Sequence, residues 1–173
     1  MSMAAVALAA LGGWAVPLAA LAVLLSGLLD GLDGASAVLS GRATRWGYVL
    51  DSVADRLADA AFLVSLYLLG APAWVCVPAG TLTFLQEYAR ARAGAAGMSE
   101  IGVVTVWERP TRVIVTAAFL VVQAMPSGGV GPVTGVTAGA AAWLGLAVVG
   151  NLQLLVVIRR RLGPIGPGNG APA

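Results

Sequence analysis

The sequence has no histidine, no lysine and a single cysteine, Cys76. One cysteine excludes an internal disulfide and is not a metal site by itself, so we interpret Cys76 as a small apolar residue facing lipid or a neighbouring helix. Without histidine or a second cysteine, the chain lacks ligands for softer metals such as zinc. The formal net charge of +2 is also too small to indicate a nucleic-acid partner.

Charge of either sign is scarce. Of the 173 residues, 10% are charged and 59% are hydrophobic, whereas a soluble domain is about 25% charged. The sequence therefore predicts an integral membrane protein with one transmembrane domain over residues 1–162. Residues 163–173 are rich in glycine and proline and are predicted to form a disordered tail. The abundance of alanine, glycine and arginine, without lysine, indicates a GC-rich bacterial genome.

The apolar residues form long runs, which predict an all-α, polytopic helical membrane protein. A spanning helix needs about 20 mostly apolar residues. Five segments reach or approach that length: Val16–Leu39, Trp46–Leu69, Pro72–Arg92, Pro110–Ala124 and Val133–Ile158. A sixth apolar segment, Met3–Trp14, is too short to span by itself. Between the third and fourth spans, residues 91–100 are predicted to be a loop or a short surface helix.

The positions of the arginines indicate how these helices are oriented in the membrane. Nine of the ten lie in or beside the loops after the first and third spans and after the last span, and the tenth, Arg56, lies just inside a helix near the same side. By the positive-inside rule this side is cytoplasmic. The sequence thus predicts a multi-pass protein of the cell membrane with a cytoplasmic C-terminus. Trp46 and Tyr48 fit an aromatic belt at that interface.

Five of the eight acidic residues lie in one short stretch at this cytoplasmic side. Asp30 and Asp33 are three positions apart and share a face at the end of one helix. Asp51, Asp55 and Asp59 follow at spacings of four, on one face of the next helix. Ionisable groups inside a membrane helix are costly unless they are paired, hydrated or bound to metal. This regular spacing therefore indicates a functional site.

The short connection that contains Gly41 is expected to make the two helices antiparallel neighbours, so that both carboxylate faces meet. Close carboxylates repel, and two sources of positive charge are available. The nearby arginines are Arg42, Arg45 and Arg56. The alternative is Mg²⁺ or Mn²⁺, which prefer oxygen ligands, with two ions about 3.5–4 Å apart. Glycines beside the aspartates let a helix or a flat ligand approach the backbone closely. They are Gly31, Gly34 and Gly47.

At these residues the sequence resembles the signature of the CDP-alcohol phosphotransferase family, D-x2-D-G-x2-A-R-x8-G-x3-D-x3-D. The positions in register are Asp30, Asp33, Gly34, Ala37, Gly47, Asp51 and Asp55. The arginine of the signature is Val38 here, and Arg42 or Arg45 is its candidate replacement. The family has six transmembrane helices. The resemblance therefore implies either that the start of the chain is missing or that Met3–Trp14 is a short first helix.

The resemblance implies an enzyme of phospholipid synthesis. Such an enzyme moves a phosphatidyl or similar group from a CDP-alcohol, here expected to be CDP-diacylglycerol, to an acceptor hydroxyl and releases CMP. The family implies Asp30, Asp33 and Asp51 as ligands of divalent ions, and Asp55 as both a ligand and the general base. The implied CDP-binding residues are Gly34, Ala37, Arg42 and Gly47. The resemblance also implies a homodimer in the lipid membrane. It leaves the acceptor open among glycerol phosphate, inositol phosphate, inositol and an amino alcohol.

The remaining polar residues flank the longest cytoplasmic loop, and two interpretations stay open for them. Arg109, Arg112 and then Arg90 are candidates to bind a phosphate on the acceptor, since arginine binds phosphate bidentately. The structural alternative is a set of membrane anchors with Glu–Arg pairs, including Glu108. Asp59, one turn beyond the signature, is either a ligand through water or a partner of an arginine. We favour pairing with arginine.

Three rival functions follow from the same residues. An intramembrane prenyltransferase needs a second, distant acidic motif, which the sequence does not contain. A cation or proton transporter would use Asp51, Asp55 and Asp59 as a relay, but the non-cytoplasmic halves of the helices carry almost no polar residues. A non-catalytic membrane scaffold is favoured only by Val38. Metal-dependent release of CMP would distinguish the enzyme from all three.

Overall fold

The computed structural model describes residues 1–39, 44–98, 104–126, 129–130 and 133–162, and for 33–39, 129–130 and 133 the backbone alone. The described residues form six α-helices and a small antiparallel ladder. The helices are α1 (Ser2–Leu11), α2 (Val16–Leu39), α3 (Arg45–Leu68), α4 (Ala73–Ala95), α5 (Arg109–Ala124) and α6 (Gly135–Leu162). A 3-10 turn, Gly13–Ala15, joins α1 to α2. The strands β1 (Gly129–Val130) and β2 (Val133–Thr134) pair just before α6.

This architecture confirms the all-helical prediction, and the starts of α3 and α5 have a local cause. The bounds of α2 are those predicted, and the other bounds differ by a few residues. Thr44 caps α3, where its side chain accepts a hydrogen bond of 2.9 Å from the Gly47 amide. Pro110 lies in the first turn of α5, where its missing amide hydrogen costs nothing. The segment predicted as a loop or surface helix begins as a continuation of α4, which runs to Ala95.

Two described stretches are long and apolar enough to cross a membrane, Gly13–Leu32 and Gly135–Leu162. The helix α3 carries four charged residues between positions 51 and 59, and α5 has only 16 residues. The five full spans therefore stay a prediction. The short α1 is apolar as well. It packs against α2 and α3, with a hydrogen bond of 2.8 Å between the Ser2 and Ser26 hydroxyl groups.

The position of α1 corrects one expectation about the neighbours of α2. We expected the short connection to make α2 and α3 antiparallel neighbours. Among the described residues, however, α2 packs mainly against α1 and α5, and it has little backbone contact with α3. The reason is that α1 lies against both helices. At Gly27 an added Cβ would come within 2.9 Å of Val113 on α5, so this glycine allows α2 and α5 to pack closely.

The start of α5 is fixed by the segment that precedes it. The Trp107 side chain is fully buried and packs edge-on against Trp143 of α6, with 5.1 Å between ring centroids. Both indole N–H groups donate to the Thr83 hydroxyl oxygen of α4, at 3.2 and 2.9 Å. The Gln86 amide group donates to the Trp107 carbonyl oxygen at 3.1 Å. These contacts hold the first turn of α5, and with it Arg109 and Arg112, against α4 and α6.

Candidate active site

Three carboxylates from two helices form a cluster, which we call the carboxylate cluster: Asp30 of α2 with Asp51 and Asp55 of α3. One oxygen atom from each lies within 4.8 Å of the other two. Asp30 and Asp55 are partly buried, and Asp51 is exposed. The prediction that the carboxylate faces of the two helices meet is thus confirmed for these three residues, even though the two helices are not packed along their length.

A guanidinium group from a third helix reaches the carboxylate cluster. Arg109, the first residue of α5, places its Nε 2.8 Å from Asp30 Oδ2 and its Nη1 in ion-pair contact with Asp55 Oδ1. The Arg109 side chain is 17% exposed. Arginine and a divalent ion were the two alternative sources of positive charge here. Arg109 comes from a distant part of the sequence. Of the arginines nearer in sequence, Arg56 lies 3.8 Å from Asp55 Oδ2, and Arg42 falls outside the described residues.

The carboxylate cluster also fits a divalent ion. The atoms that it offers as metal ligands are all carboxylate oxygens, which Mg²⁺ and Mn²⁺ prefer. Asp51 makes no ion pair with the described residues, and Asp55 Oδ1 is buried without a hydrogen bond among them. Around the cluster, six described carboxylates meet four guanidinium groups, which leaves two negative charges. One divalent cation would balance that excess.

Asp59 points away from the cluster into a second set of ion pairs. Its carboxylate is 1% exposed and contacts Arg112 Nη1 at 2.8 Å and Arg56 Nη2 at 3.2 Å. Arg112 is fully buried, and its Nη2 also donates to Glu87 Oε1 at 2.9 Å and to the Trp107 carbonyl oxygen at 3.1 Å. The prediction that Asp59 pairs with arginine is confirmed. These contacts tie α3, α4 and α5 together beside the cluster.

Arg56 joins the two sets of charges. Its guanidinium lies 3.2 Å from Asp59, 3.3 Å from Glu87 and 3.8 Å from Asp55. Arg90 extends the second set toward the loop, with Nη2 2.7 Å from Glu108 Oε1. The predicted Glu–Arg pairs are therefore present. Because Arg56 contacts both sets, a displacement of α3 would change ion-pair distances in the carboxylate cluster and in the second set.

Glu108 is held at the entrance to α5. Its Oε1 accepts hydrogen bonds from the Thr105 amide at 2.9 Å and from the Thr105 hydroxyl at 2.8 Å. Burial raises the pKa of the Glu108 carboxyl group, but the bonds from Thr105 and the contact with Arg90 outweigh that effect. The pKa therefore lies below its usual value, which means that these contacts favour the ionised form.

The structure describes the predicted nucleotide-binding residues only in part, and the same holds for Asp33, a predicted metal ligand. Asp33, Gly34 and Ala37 lie in α2, but their side-chain positions are not described, and Arg42 falls outside the described residues. Gly47 lies in the first turn of α3, where an added Cβ would come within 3.1 Å of the Thr44 hydroxyl oxygen. Here the glycine accommodates the helix cap. At Gly31 an added Cβ would meet nothing within 4 Å of it.

Sequence reasoning missed the contribution of α4. Thr83, Gln86, Glu87 and Arg90 are spaced by one, three and four positions and share one side of that helix. Thr83 and Gln86 are fully buried. Polar residues that recur at helical spacing in an otherwise apolar helix are the signal that could have identified this face, and only Arg90 was singled out from it.

Two cavities lie on different sides of α3. The smaller, of about 210 Å³, is lined by Asp30, Arg109, Ser26 and Ala58, among others. The larger is a groove of about 980 Å³ between α3 and α4, beside Arg56 and Glu87, and none of the three clustered aspartates lines it. Because only the smaller cavity touches the carboxylate cluster, it is the better candidate for the reacting end of a substrate. The larger groove is mostly apolar, with Phe84 and Leu57 in its wall.

Comparison with known proteins reveals similarity over most of the chain. The family model described as CDP-alcohol phosphatidyltransferase matches residues 1–158. A phosphatidylinositol phosphate synthase of Mycobacteroides abscessus is 36% identical over 64% of this chain and 51% of the relative. An archaetidylinositol phosphate synthase of Pyrococcus horikoshii is 33% identical over 57% of this chain and 52% of the relative. A phosphatidylinositol phosphate synthase of Cutibacterium acnes is 31% identical over 76% and 67%, respectively. The chain thus spans about half the length of the first two relatives.

Proposed function

The chain belongs to the CDP-alcohol phosphatidyltransferase family, and from this premise we propose that it transfers a phosphatidyl group from CDP-diacylglycerol to a hydroxyl group of an inositol phosphate, with release of CMP. The names of the similar proteins support this acceptor, because the bacterial and the archaeal relatives are both named for lipid products that contain inositol phosphate. The observation that carries the proposal is the carboxylate cluster with Arg109 against it.

Asp30, Asp51 and Asp55 would hold a divalent ion, Mg²⁺ or Mn²⁺, and the family signature adds Asp33. A second ion follows from the resemblance alone. When bound, such an ion supplies positive charge that offsets the negative charge of the pyrophosphate and of the departing phosphate. The oxygen-only ligand set and the two excess negative charges among the described residues support this assignment.

Asp55 is proposed as the general base. Its carboxylate takes the proton of the acceptor hydroxyl, and the hydroxyl oxygen then bonds to the phosphorus of the phosphatidyl group. The bond between that phosphorus and the CMP oxygen breaks, and CMP leaves. Arg109 is proposed to bind a phosphate group of the substrates, since it borders the cavity beside the cluster. Gly34, Ala37, Arg42 and Gly47 remain proposed contacts of the cytidine nucleotide.

Arg112 receives a different role. Both of its Nη atoms already make hydrogen bonds, and its side chain is fully buried. We therefore propose Arg112 as a positioning residue that holds α5 against α3, rather than as a phosphate ligand. Arg90, which contacts Glu108 and Glu87, is proposed to orient the loop before α5. Of these three arginines, Arg109 is then the one left to bind the acceptor phosphate.

The lipid chains of the donor would lie between helices in the bilayer, with the reacting head at the cytoplasmic surface. The two long apolar helices and the positive-inside pattern support this placement. The homodimer implied by the family stays a prediction. A transporter is disfavoured, because its relay would need Asp59 to bind and release a cation. That carboxylate is held by two arginines.

CMP release by the detergent-solubilised protein tests the proposal. The protein is supplied with CDP-diacylglycerol, Mg²⁺ or Mn²⁺, and inositol phosphate, inositol or glycerol phosphate in turn. We expect release with inositol phosphate, and loss of release with a chelator or in Asp55→Asn. The matched control is Ser52→Ala on the same helix, because the Ser52 hydroxyl bonds only to the Tyr48 carbonyl oxygen among the described residues. Release with another acceptor, or equal release by Asp55→Asn, would contradict the proposal.

A further inference from the structure

Two arginines three positions apart at the start of α5 are held in different ways. Arg112 makes hydrogen bonds from Nη1 to Asp59 and from Nη2 to Glu87 and the Trp107 carbonyl oxygen. Arg109 lies equally close to its carboxylates, with 2.8 Å from Nε to Asp30 Oδ2. Yet Nε and Nη1 of Arg109 are buried and make no hydrogen bond within the described part of the chain.

The two arginines differ in the direction of their N–H groups relative to the carboxylates, rather than in their distances from them. A hydrogen bond weakens steeply when the donor hydrogen does not point at the acceptor. The guanidinium of Arg109 therefore interacts with Asp30 and Asp55 mainly through charge. Asp55 Oδ1, on the other side of this contact, is likewise buried without a hydrogen bond among the described residues. An ion pair that lacks directed hydrogen bonds gains less from its geometry and is easier to replace by another cation.

The same carboxylates belong to the set that fits a divalent ion. Asp30 and Asp55 contact Arg109, and together with Asp51 they form the carboxylate cluster. A guanidinium and a divalent ion in contact with the same carboxylates repel each other, and both compete for the same oxygens. Arg109 has somewhere to go, because it borders the cavity of about 210 Å³ beside Asp30.

We propose that Arg109 is an exchangeable counter-ion of the carboxylate cluster. It offsets part of the negative charge of Asp30 and Asp55 when no metal is bound, a divalent ion displaces it, and the released guanidinium then binds phosphate in the adjoining cavity. The second half of this inference rests on the proposed function. Metal binding and phosphate binding are then coupled through one side chain, and the coupling is reciprocal.

Mn²⁺ binding to the detergent-solubilised protein, without donor or acceptor, tests the first half. Free Mn²⁺ is followed by its electron paramagnetic resonance signal. We expect Arg109→Gln to bind Mn²⁺ about ten-fold more tightly than the unaltered protein, the change expected when two partly buried ion pairs no longer compete. Arg109→Lys should bind about three-fold more tightly, because a compact ammonium group cannot contact two carboxylates as the guanidinium does. The Arg109→Lys variant also provides the test if Arg109→Gln does not fold.

The matched control is Arg92→Gln. Arg92 is exposed in the last turn of α4, and its removal changes the net charge equally without touching the cluster. Unchanged Mn²⁺ affinity is expected for it. Equal or weaker binding by the folded Arg109 variants, or an equal gain in Arg92→Gln, would overturn the inference. Absence of Mn²⁺ binding to the unaltered protein would overturn it as well.

Inorganic phosphate tests the second half. In the unaltered protein, phosphate binding measured by calorimetry should strengthen when Mn²⁺ is present, and Arg109→Gln should lose at least about five-fold of that affinity. Phosphate binding that does not change in Arg109→Gln would overturn this half.

Neither measurement needs turnover, so the counter-ion role and the proposed function can fail separately. If Arg109→Gln gains Mn²⁺ affinity but the unaltered protein releases no CMP, the counter-ion role stands and the proposed function fails. If the unaltered protein releases CMP but Arg109→Gln has unchanged Mn²⁺ affinity, the proposed function stands and the counter-ion role fails.

Discussion

Replacement of Arg112 by methionine gives the most direct test of the second set of ion pairs. Methionine keeps much of the length of the side chain but removes its charge and its three hydrogen bonds. Asp59, which is 1% exposed, would lose its closest partner and, among the described residues, keep the ion pair with Arg56 at 3.2 Å. Glu87 is 24% exposed and can be rehydrated in part.

The expected cost follows from this difference in burial. A buried charge that loses its partner costs about 3–5 kcal/mol. Because Arg56 still compensates Asp59 and Glu87 reaches water, we expect Arg112→Met to lower the free energy of unfolding by about 3 kcal/mol. The double variant Asp59→Asn with Arg112→Met removes both charges. It should cost about 2 kcal/mol less than the sum of the two single changes, since the residues are in direct contact.

Unfolding of the detergent-solubilised protein in increasing SDS, followed by tryptophan fluorescence, measures these free energies. Trp107 is a suitable reporter, because its ring centroid lies 5.8 Å from the Arg112 guanidinium carbon. Arg92→Met is the control, since this exposed arginine should change stability by less than about 0.5 kcal/mol. The reasoning is refuted if Arg112→Met costs no more than the control, or if the two single changes simply add in the double variant.

Four further changes have expected outcomes. Asp51→Asn should weaken Mn²⁺ binding at least about ten-fold and leave the free energy of unfolding unchanged, because Asp51 is exposed and unpaired among the described residues; unchanged binding would remove it from the ligand set. Gly150→Ala should cost about 1–3 kcal/mol of stability in the SDS titration, because its Cβ would lie 2.5 Å from Trp107 Cβ. Gly145→Ala, which meets open space, should not lower stability. The pKa of Glu108 is lowered from its ordinary value of 4.5. Its stabilising contribution is therefore complete above that value and is lost as the pH falls through the lower folded value. Glu108→Gln should remove that part of the loss of thermal stability in acid, and an unchanged acid profile would contradict it.

The fold could be predicted well from the sequence where it depends on local pattern. Apolar runs and Pro110 fix where helices lie, because these effects depend on residues close together in the sequence. The packing of α1 against both α2 and α3 could not be predicted. Helix partners depend on the shape of whole surfaces, such as the close approach that Gly27 allows to Val113, and no local spacing encodes that.

The candidate site, like the fold, could be predicted from the sequence only in part. The spacing of Asp30, Asp51 and Asp55 predicted their meeting, and the signature supplied the family. The two arginines of α5 were ranked together as phosphate ligands, since both carry the same charge on neighbouring turns. Their burial and partners separate them: one is buried and hydrogen-bonded, and the other contacts the carboxylate cluster through charge.

The sequence by itself therefore determined the class of protein, the helices, the acidic cluster and the metal chemistry that it allows. Those properties follow from residue type and from the repeat of the helix. Only the tertiary structure decided which arginine serves the cluster and which one ties α3, α4 and α5 together. The physical reason is that an ion pair depends on distance, direction and burial, and these are set by residues such as Thr83, Gln86 and Trp107 that lie far apart in the chain.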